Sequence, residues 1–412
     1  RGGDAVASWL PSASAFDHMI VRASIAGRDY WLDGTDTGTR LATMEEVPPF
    51  AYALPLRLAG ADLMPVAQRW PTAKDRVVTV TYDYSAGLDM PVLYDAKVEL
   101  RGRMGAAMRE KTELKDQAER LAYAEELLDD LVGDGVVYET SIAYDQDSGI
   151  GTVTAKGLLG SEFEFERGRG SLALKLPSTG LEFSPDRARA AWQAIPYAVG
   201  GPFGAKTDMT LRLPEGESGL ELAGLGAFEG EAAGVRVRRS SALTQGRLHV
   251  VEEAARIPAE IAVADFGRER AAVSRLNAGD PVLRSGPAPV RYWTLDPATA
   301  RRRIAALEPA YAAIIAQEPK EGWRWSNRAK LLQMGPDLKR ALADFDKAVA
   351  LEPSAENFSD RANLRKELGD LTGALADARE AYKLEATADY ARNVADILAQ
   401  QGKADEGVGV LD

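Results

Sequence analysis

The chain has 412 residues, enough for two to four domains that each bury a core. Its 45% hydrophobic and 27% charged residues are ordinary for a globular protein, and no apolar run reaches the roughly 18 residues of a membrane span. A net charge of −12 without a basic block speaks against a nucleic-acid partner, and zero Cys excludes disulfides, thiolate metal sites and redox motifs.

The first element is the stretch Phe16 to Thr35, FDHMIVRASIAGRDYWLDGT. Apolar and polar residues alternate on both sides of Ala26-Gly27-Arg28-Asp29, which predicts a β-hairpin. His18 lies near the start of one strand and Asp33 at the end of the other, so the hairpin can bring them to one sheet edge. A His held by an Asp is the base half of a nucleophilic triad: the carboxylate fixes the tautomer and the imidazole takes the proton of a Ser or Cys.

Phe16, His18, Val21, Tyr30, Trp31, Leu32, Asp33 and Thr35, with the later run Tyr52-Ala53-Leu54-Pro55-Leu56, resemble the transglutaminase-like, papain-related superfamily. The nearer likeness is to bacterial envelope proteins that set such a domain between β-rich domains of unassigned function. It is specific over residues 8–70 and loose over the β-rich middle. It implies that His18 and Asp33 belong to a Cys-His-Asp triad. In that family the Cys lies on a helix upstream of the hairpin, and this chain has no Cys. The expectation is therefore a C-terminal part of a longer protein, inactive alone, whose nucleophile sits on an upstream Cys-bearing segment. The same resemblance implies a periplasmic location.

Residues 1–72 read as the end of that domain, with loops at Asp36-Thr37-Gly38 and Glu45-Glu46-Val47-Pro48-Pro49 and an edge at Trp70-Pro71-Thr72. Residues 73–290 read as β-rich. Apolar residues alternate at Val78, Val80, Tyr82 and Tyr84, at Phe163 and Phe165, at Leu172, Leu174 and Leu176, and at Met209, Leu211 and Leu213. Val235 and Val237, then Leu248 and Val250, continue the pattern. It predicts half-buried antiparallel strands in a sandwich or a large curved sheet, with turns at Asp147-Ser148-Gly149, Arg167 to Gly170 and Gln245-Gly246. One amphipathic helix is predicted over Lys111 to Val132, and a shorter one from Ser184-Pro185 through Trp192.

Residues 291–412 become helical, Ala-rich and repetitive. Asn327-Arg328-Ala329 recurs as Asp360-Arg361-Ala362 and Asn393-Val394-Ala395, and Ala341, Ala374 and Gly407 keep that spacing, as do Ala348 and Ala381. Tyr311 to Pro319 reads as the second helix of a preceding unit. Trp325, Ala329, Ala341, Phe345, Ala348 and Pro353 resemble the tetratricopeptide repeat, whose period of about 34 stacks helix pairs into a docking array. The fold class that follows is α+β and multidomain: a transglutaminase-like remnant, an antiparallel sandwich-like β domain, and tetratricopeptide-like helical repeats.

Other motifs carry less. His249 alternates with Leu248 and Val250 and reads as a solvated residue on a polar strand face. Gly200 to Thr207, GGPFGAKT, nearly spells a phosphate loop, but Asp208 to Leu213 reads as a strand where a helix must open. Gly224-Leu225-Gly226 lacks the helix of a dinucleotide fingerprint, and Asp145, Asp147 and Gly149 read as a β-turn rather than a calcium loop. Trp323 and Trp325 either line a peptide groove or seal a helix pair, the second reading carrying more weight. No cofactor or metal is called for. The functional expectation is a protein-binding scaffold that keeps the His and Asp of a triad. The alternative is a cysteine-dependent amide hydrolase or acyltransferase when joined to the missing segment.

Overall fold

Alternation in the middle of the chain produces one sheet of eight strands, and everything else is arranged on it. The structure, a computed structural model, describes residues 6–7, 16, 18–35, 40–41, 44–176, 178, 181–217, 219–224, 226–244 and 246–411. The expected loop at Asp36-Thr37-Gly38, Leu225 and Gln245 lie outside the described residues.

Strands β1 (Val21–Ile25) and β2 (Arg28–Leu32) form the N-terminal hairpin, and β3 (Tyr52–Ala53) pairs with β4 (Met64–Pro65). The hairpin turn is the dipeptide Ala26-Gly27, with φ of 51° and 79°. Two successive positive φ values give the turn whose twist matches paired strands, so Arg28 and Asp29 already belong to β2. Arg167-Gly168 and Ala233-Gly234 repeat this turn chemistry.

The large sheet contains β5 (Arg76–Asp83), β6 (Val92–Leu100), β7 (Val136–Asp145) and β8 (Ile150–Leu159). After β9 (Glu164–Glu166), β10 (Arg169–Ala173) and β11 (Tyr197–Ala198), it takes up β12 (Phe203–Arg212). Beyond β13 (Glu221–Ala223) come β14 (Phe228–Ala232), β15 (Val235–Thr244) and β16 (Arg247–Arg256), in the spatial order β14-β15-β16-β12-β5-β6-β8-β7. Every neighbouring pair is antiparallel except β12 with β5, which run parallel. Alternation alone does not distinguish the two, and here the strands start together because Asp75 N donates to Gly204 O while Gly204 N donates to the Asp75 carboxylate.

Val78, Val80, Tyr82, Val98, Met209, Leu211, Leu248 and Val250 point to one buried face. Two helices and a small sheet cover it. The helices are α1 (Gly102–Lys111) and α2 (Gln117–Val132), separate where one was expected, because the Asp116 side chain caps a new start by accepting from Ala118 N. The small sheet runs β13-β18-β10-β9, with β18 at Val282–Arg284. Beside them α3 (Phe266–Asn277) packs against β14, and β17 (Glu260–Ile261) pairs with β11. No α-helix follows Ser184-Pro185; only a 3-10 turn forms at Ala190–Trp192, where Arg187 donates to Trp192 O. The opposite face of the large sheet exposes Thr79, Lys97, Thr154, Lys156, Arg238 and His249.

Seven helices follow among the described residues: α4 (Pro297–Gln317), α5 (Gly322–Gln333), α6 (Leu338–Leu351), α7 (Ala355–Glu367), α8 (Leu371–Leu384), α9 (Ala388–Gln400) and α10 (Ala404–Leu411). Helices α5, α7 and α9 start 33 residues apart, and so do α6, α8 and α10. Ala329, Ala341, Ala348, Ala362, Ala374 and Ala381 are fully buried where paired helices touch, which only a small side chain permits at that approach. The segment from Tyr311 belongs to α4, a single 21-residue helix begun by the Asp296 cap.

The array is joined firmly to the sheet. Gln317 Nε2 donates to Tyr138 O at 3.0 Å, so α4 covers the β7 edge of the large sheet. Arg291 donates to Asp89 at 2.7 Å and stacks on Phe165, and Arg303 donates to Ala86 O. Ala86, Met90 and Leu158 share one apolar cluster with Ile304, Leu307, Tyr311 and Phe345.

Candidate functional site

The hairpin register sets Val21 opposite Leu32, which puts the residues just before β1 and just after β2 at one end, away from the turn. There His18 Nε2 lies 2.7 Å from Asp33 Oδ2. The other carboxylate oxygen of Asp33 accepts from Thr35 N at 2.9 Å and Thr35 Oγ1 at 2.7 Å. These Thr35 bonds, and then His18, hold the Asp33 carboxyl down at about 2, below its ordinary 3.8. An ionised Asp33 can only accept, so Nε2 carries the proton and the lone pair of a neutral His18 sits on Nδ1, on the other side of the ring. The His18 side chain is 45% exposed and that of Asp33 22%. Beside them Met19, Val21 and Ile25 are exposed apolar residues. On the same hairpin Asp29 accepts from Arg22 at 2.6 Å and from Ser24, and Trp31 packs edge-on against Phe50.

The pair can orient an imidazole and accept a proton. It has no thiol to act on, since the chain contains no Cys. Thr35 was visible in the sequence only as part of a motif; its geometric role as the clamp on Asp33 needs the coordinates.

His249 also has a carboxylate partner, with Nε2 2.9 Å from Asp208 Oδ1 on the neighbouring strand β12. Both side chains are partly exposed on the open sheet face. The two residues are 41 apart in sequence, so only the register of β12 with β16 reveals the pair. Phe203 to Arg212, which holds the end of GGPFGAKT, is strand β12, so no helix N-terminus faces a phosphate there. Asp145 forms a β-turn by accepting from Asp147 N and Ser148 Oγ.

In the array, small residues are not the only ones with a period. Arg328 makes two 2.7 Å bonds to Asp344, and 33 residues on Arg361 bonds both oxygens of Asp377, at 2.9 and 2.7 Å. In the third unit the corresponding residues are Val394 and Val410, members of one apolar cluster. Between units, Lys330 bridges Glu356 and Asp360, and Lys366 pairs with Asp396 at 2.8 Å. These bridges link the exposed polar sides of α5, α7 and α9. Trp325 is half-buried, with Nε1 donating to Pro319 O, while Trp323 is 37% exposed. The two Trp residues therefore differ: one seals a helix pair and the other faces solvent.

No protein-family model matches the chain, and no curated protein matches it. Among solved structures the chain is similar to tetratricopeptide-repeat proteins over its helical part. MamA is 16% identical at a TM-score of 0.25, covering 28% of this chain and 71% of that one. YrrB, described as a TPR protein with an unusual peptide-binding site, is 21% identical at a TM-score of 0.23, covering 24% and 53%. TTC0263, a thermophilic TPR protein from Thermus thermophilus, is 20% identical at a TM-score of 0.23, covering 28% and 71%.

Proposed function

We propose that the chain is a protein-docking scaffold whose helical array binds a protein or peptide partner, in the bacterial envelope. The supporting observation is the strict 33-residue stacking of α5 to α10, which buries the small-residue seams and leaves a continuous polar side along α5, α7 and α9. To test it, a photo-crosslinking residue is placed at exposed Asn363 on α7, and separately at exposed Thr154 on the open sheet face. Crosslinks to the partner from position 363 support the reading. Crosslinks from position 154 alone refute it.

A second reading is supported by the His18–Asp33 geometry. Joined to a Cys-bearing segment, His18 Nδ1 takes the thiol proton, the thiolate attacks an amide carbonyl, and the amine leaves as the acyl group stays on sulfur. Water or another amine then releases it. The exposed Met19, Val21 and Ile25 suit a face that such a segment covers. A thiol-reactive probe should label the joined protein, and His18→Ala should abolish labelling. Undiminished labelling of that variant ends this reading.

A further inference from the structure

A cleft of about 640 Å³ lies between the C-terminal end of α2 and the start of α5. One wall carries Glu126 and Asp129 of α2 and Asp134 of the following loop, and the other carries Trp323 and Arg324. The acidic wall is uncompensated. Asp130, the next acid on α2, is engaged by Arg76, and Glu125 accepts from Val137 N. Glu126, Asp129 and Asp134 have no ion-pair partner among the described residues. Arg324 does not neutralise them, because its guanidinium is turned to Ile314 O, Gln317 Oε1 and Glu318. Trp323 completes the site with an exposed indole. The carboxylates are spread along the wall, and no group of three His, Cys, Asp or Glu among the described residues can hold a metal ion.

Spaced carboxylates facing an indole suit an extended cation on an alkyl stem, not a point ion. The charge sits among the acids while the methylene chain lies along the ring. Two low-dielectric walls also concentrate the field of the three charges in the gap between them. We infer that this cleft receives a Lys or Arg side chain from a basic segment of the docked polypeptide. The inference rests on the docking reading and adds the partner's chemistry: its contacting stretch is cationic, and it leaves the array over Trp323 toward α2.

The test is calorimetric titration of the full 412-residue chain with octa-arginine, and with octa-glutamate as the opposite-charge control. Because the chain carries −12 overall, weak general attraction is subtracted with a charge-matched control. The triple variant Glu126→Gln/Asp129→Asn/Asp134→Asn should weaken octa-arginine binding about tenfold, and Trp323→Ala about fivefold. Trp323→Phe should retain most of the affinity, which separates loss of the aromatic face from misfolding. The control triple Glu164→Gln/Glu166→Gln/Glu221→Gln, on the small sheet, should change it less than about twofold. Equal effects of the two triples, or no effect of Trp323→Ala, overturn the inference. If the cleft variants are silent but Asp389→Asn/Asp396→Asn on α9 abolishes binding, the cleft is wrong while array docking stands. Crosslinks from position 154 alone would instead remove the docking reading itself.

Discussion

Replacing Arg328 and Asp344 tests how the helical units are held together. The Asp344 side chain is 9% exposed and that of Arg328 22%, and two 2.7 Å bonds join them. Removing one partner leaves a charge in a poorly solvated position, which costs about 3–5 kcal/mol. Asp344→Val should therefore speed amide exchange in α5 and α6 by roughly two to three and a half orders of magnitude. Removing both charges leaves only lost packing, so Arg328→Val/Asp344→Val should cost about 1–2 kcal/mol and be more stable than Asp344→Val. The third unit already shows this arrangement with Val394 and Val410 in one apolar cluster. Native-state hydrogen exchange resolved on α5 and α6 peptides measures the cycle without requiring the whole chain to unfold in one step. If the double variant is destabilised by the sum of the two single effects, the pair is not coupled and the reasoning fails.

The other predictions concern single groups. Asp33 is depressed in the folded state, so its pairing stabilises the hairpin above the ordinary carboxylate range and is lost as pH falls through about 2. Carboxyl NMR should show that midpoint, and Thr35→Val should move it up toward 3.8; a native midpoint already at 3.8 contradicts the Thr35 clamp. Glu252 is fully buried, bonded to Arg239 and to Ser178 N and Oγ, so Glu252→Ala strands the Arg239 charge and should lower the melting temperature by roughly 6–20 °C. The buried Tyr94 hydroxyl has no hydrogen-bond partner among the described residues, and Tyr94→Phe should be neutral or stabilise by about 1 kcal/mol in urea titration. Gly157→Ala would place a methyl 2.1 Å from the Tyr94 ring and should destabilise by about 1–3 kcal/mol, a cost that Tyr94→Ala in the same chain should relieve.

The sequence announces this fold where a physical period is long and regular. Period-two alternation marks Val78 to Tyr82 and Met209 to Leu213 as strands, and the 33-residue recurrence of Ala329, Ala341 and Ala348 marks the helical pairs. Where the choice depends on a single side-chain bond, the period says nothing. The Asp116 cap divides one expected helix into α1 and α2, and the residues after Pro185 have apolar content but settle into irregular backbone. Strand partners cannot be read either: β5 and β12 lie far apart in the chain, and their parallel pairing follows from tertiary packing. At the candidate site, His18 and Asp33 are legible because a short turn fixes their separation. The His249–Asp208 pair, Arg328–Asp344 and the cleft at Trp323 arise from contacts between separate elements, and local patterning has no access to those.

The attachment of α4 to strand β7 has one further consequence. A stack of helices hung on a flexible tether would sample many bearings, but Gln317 and the Asp89–Arg291 bond anchor this one at two separate points on a rigid plank. Cargo carried on α7 or α9 is thereby presented at a set height and heading above the plank, so the protein works as a jig as well as a grip.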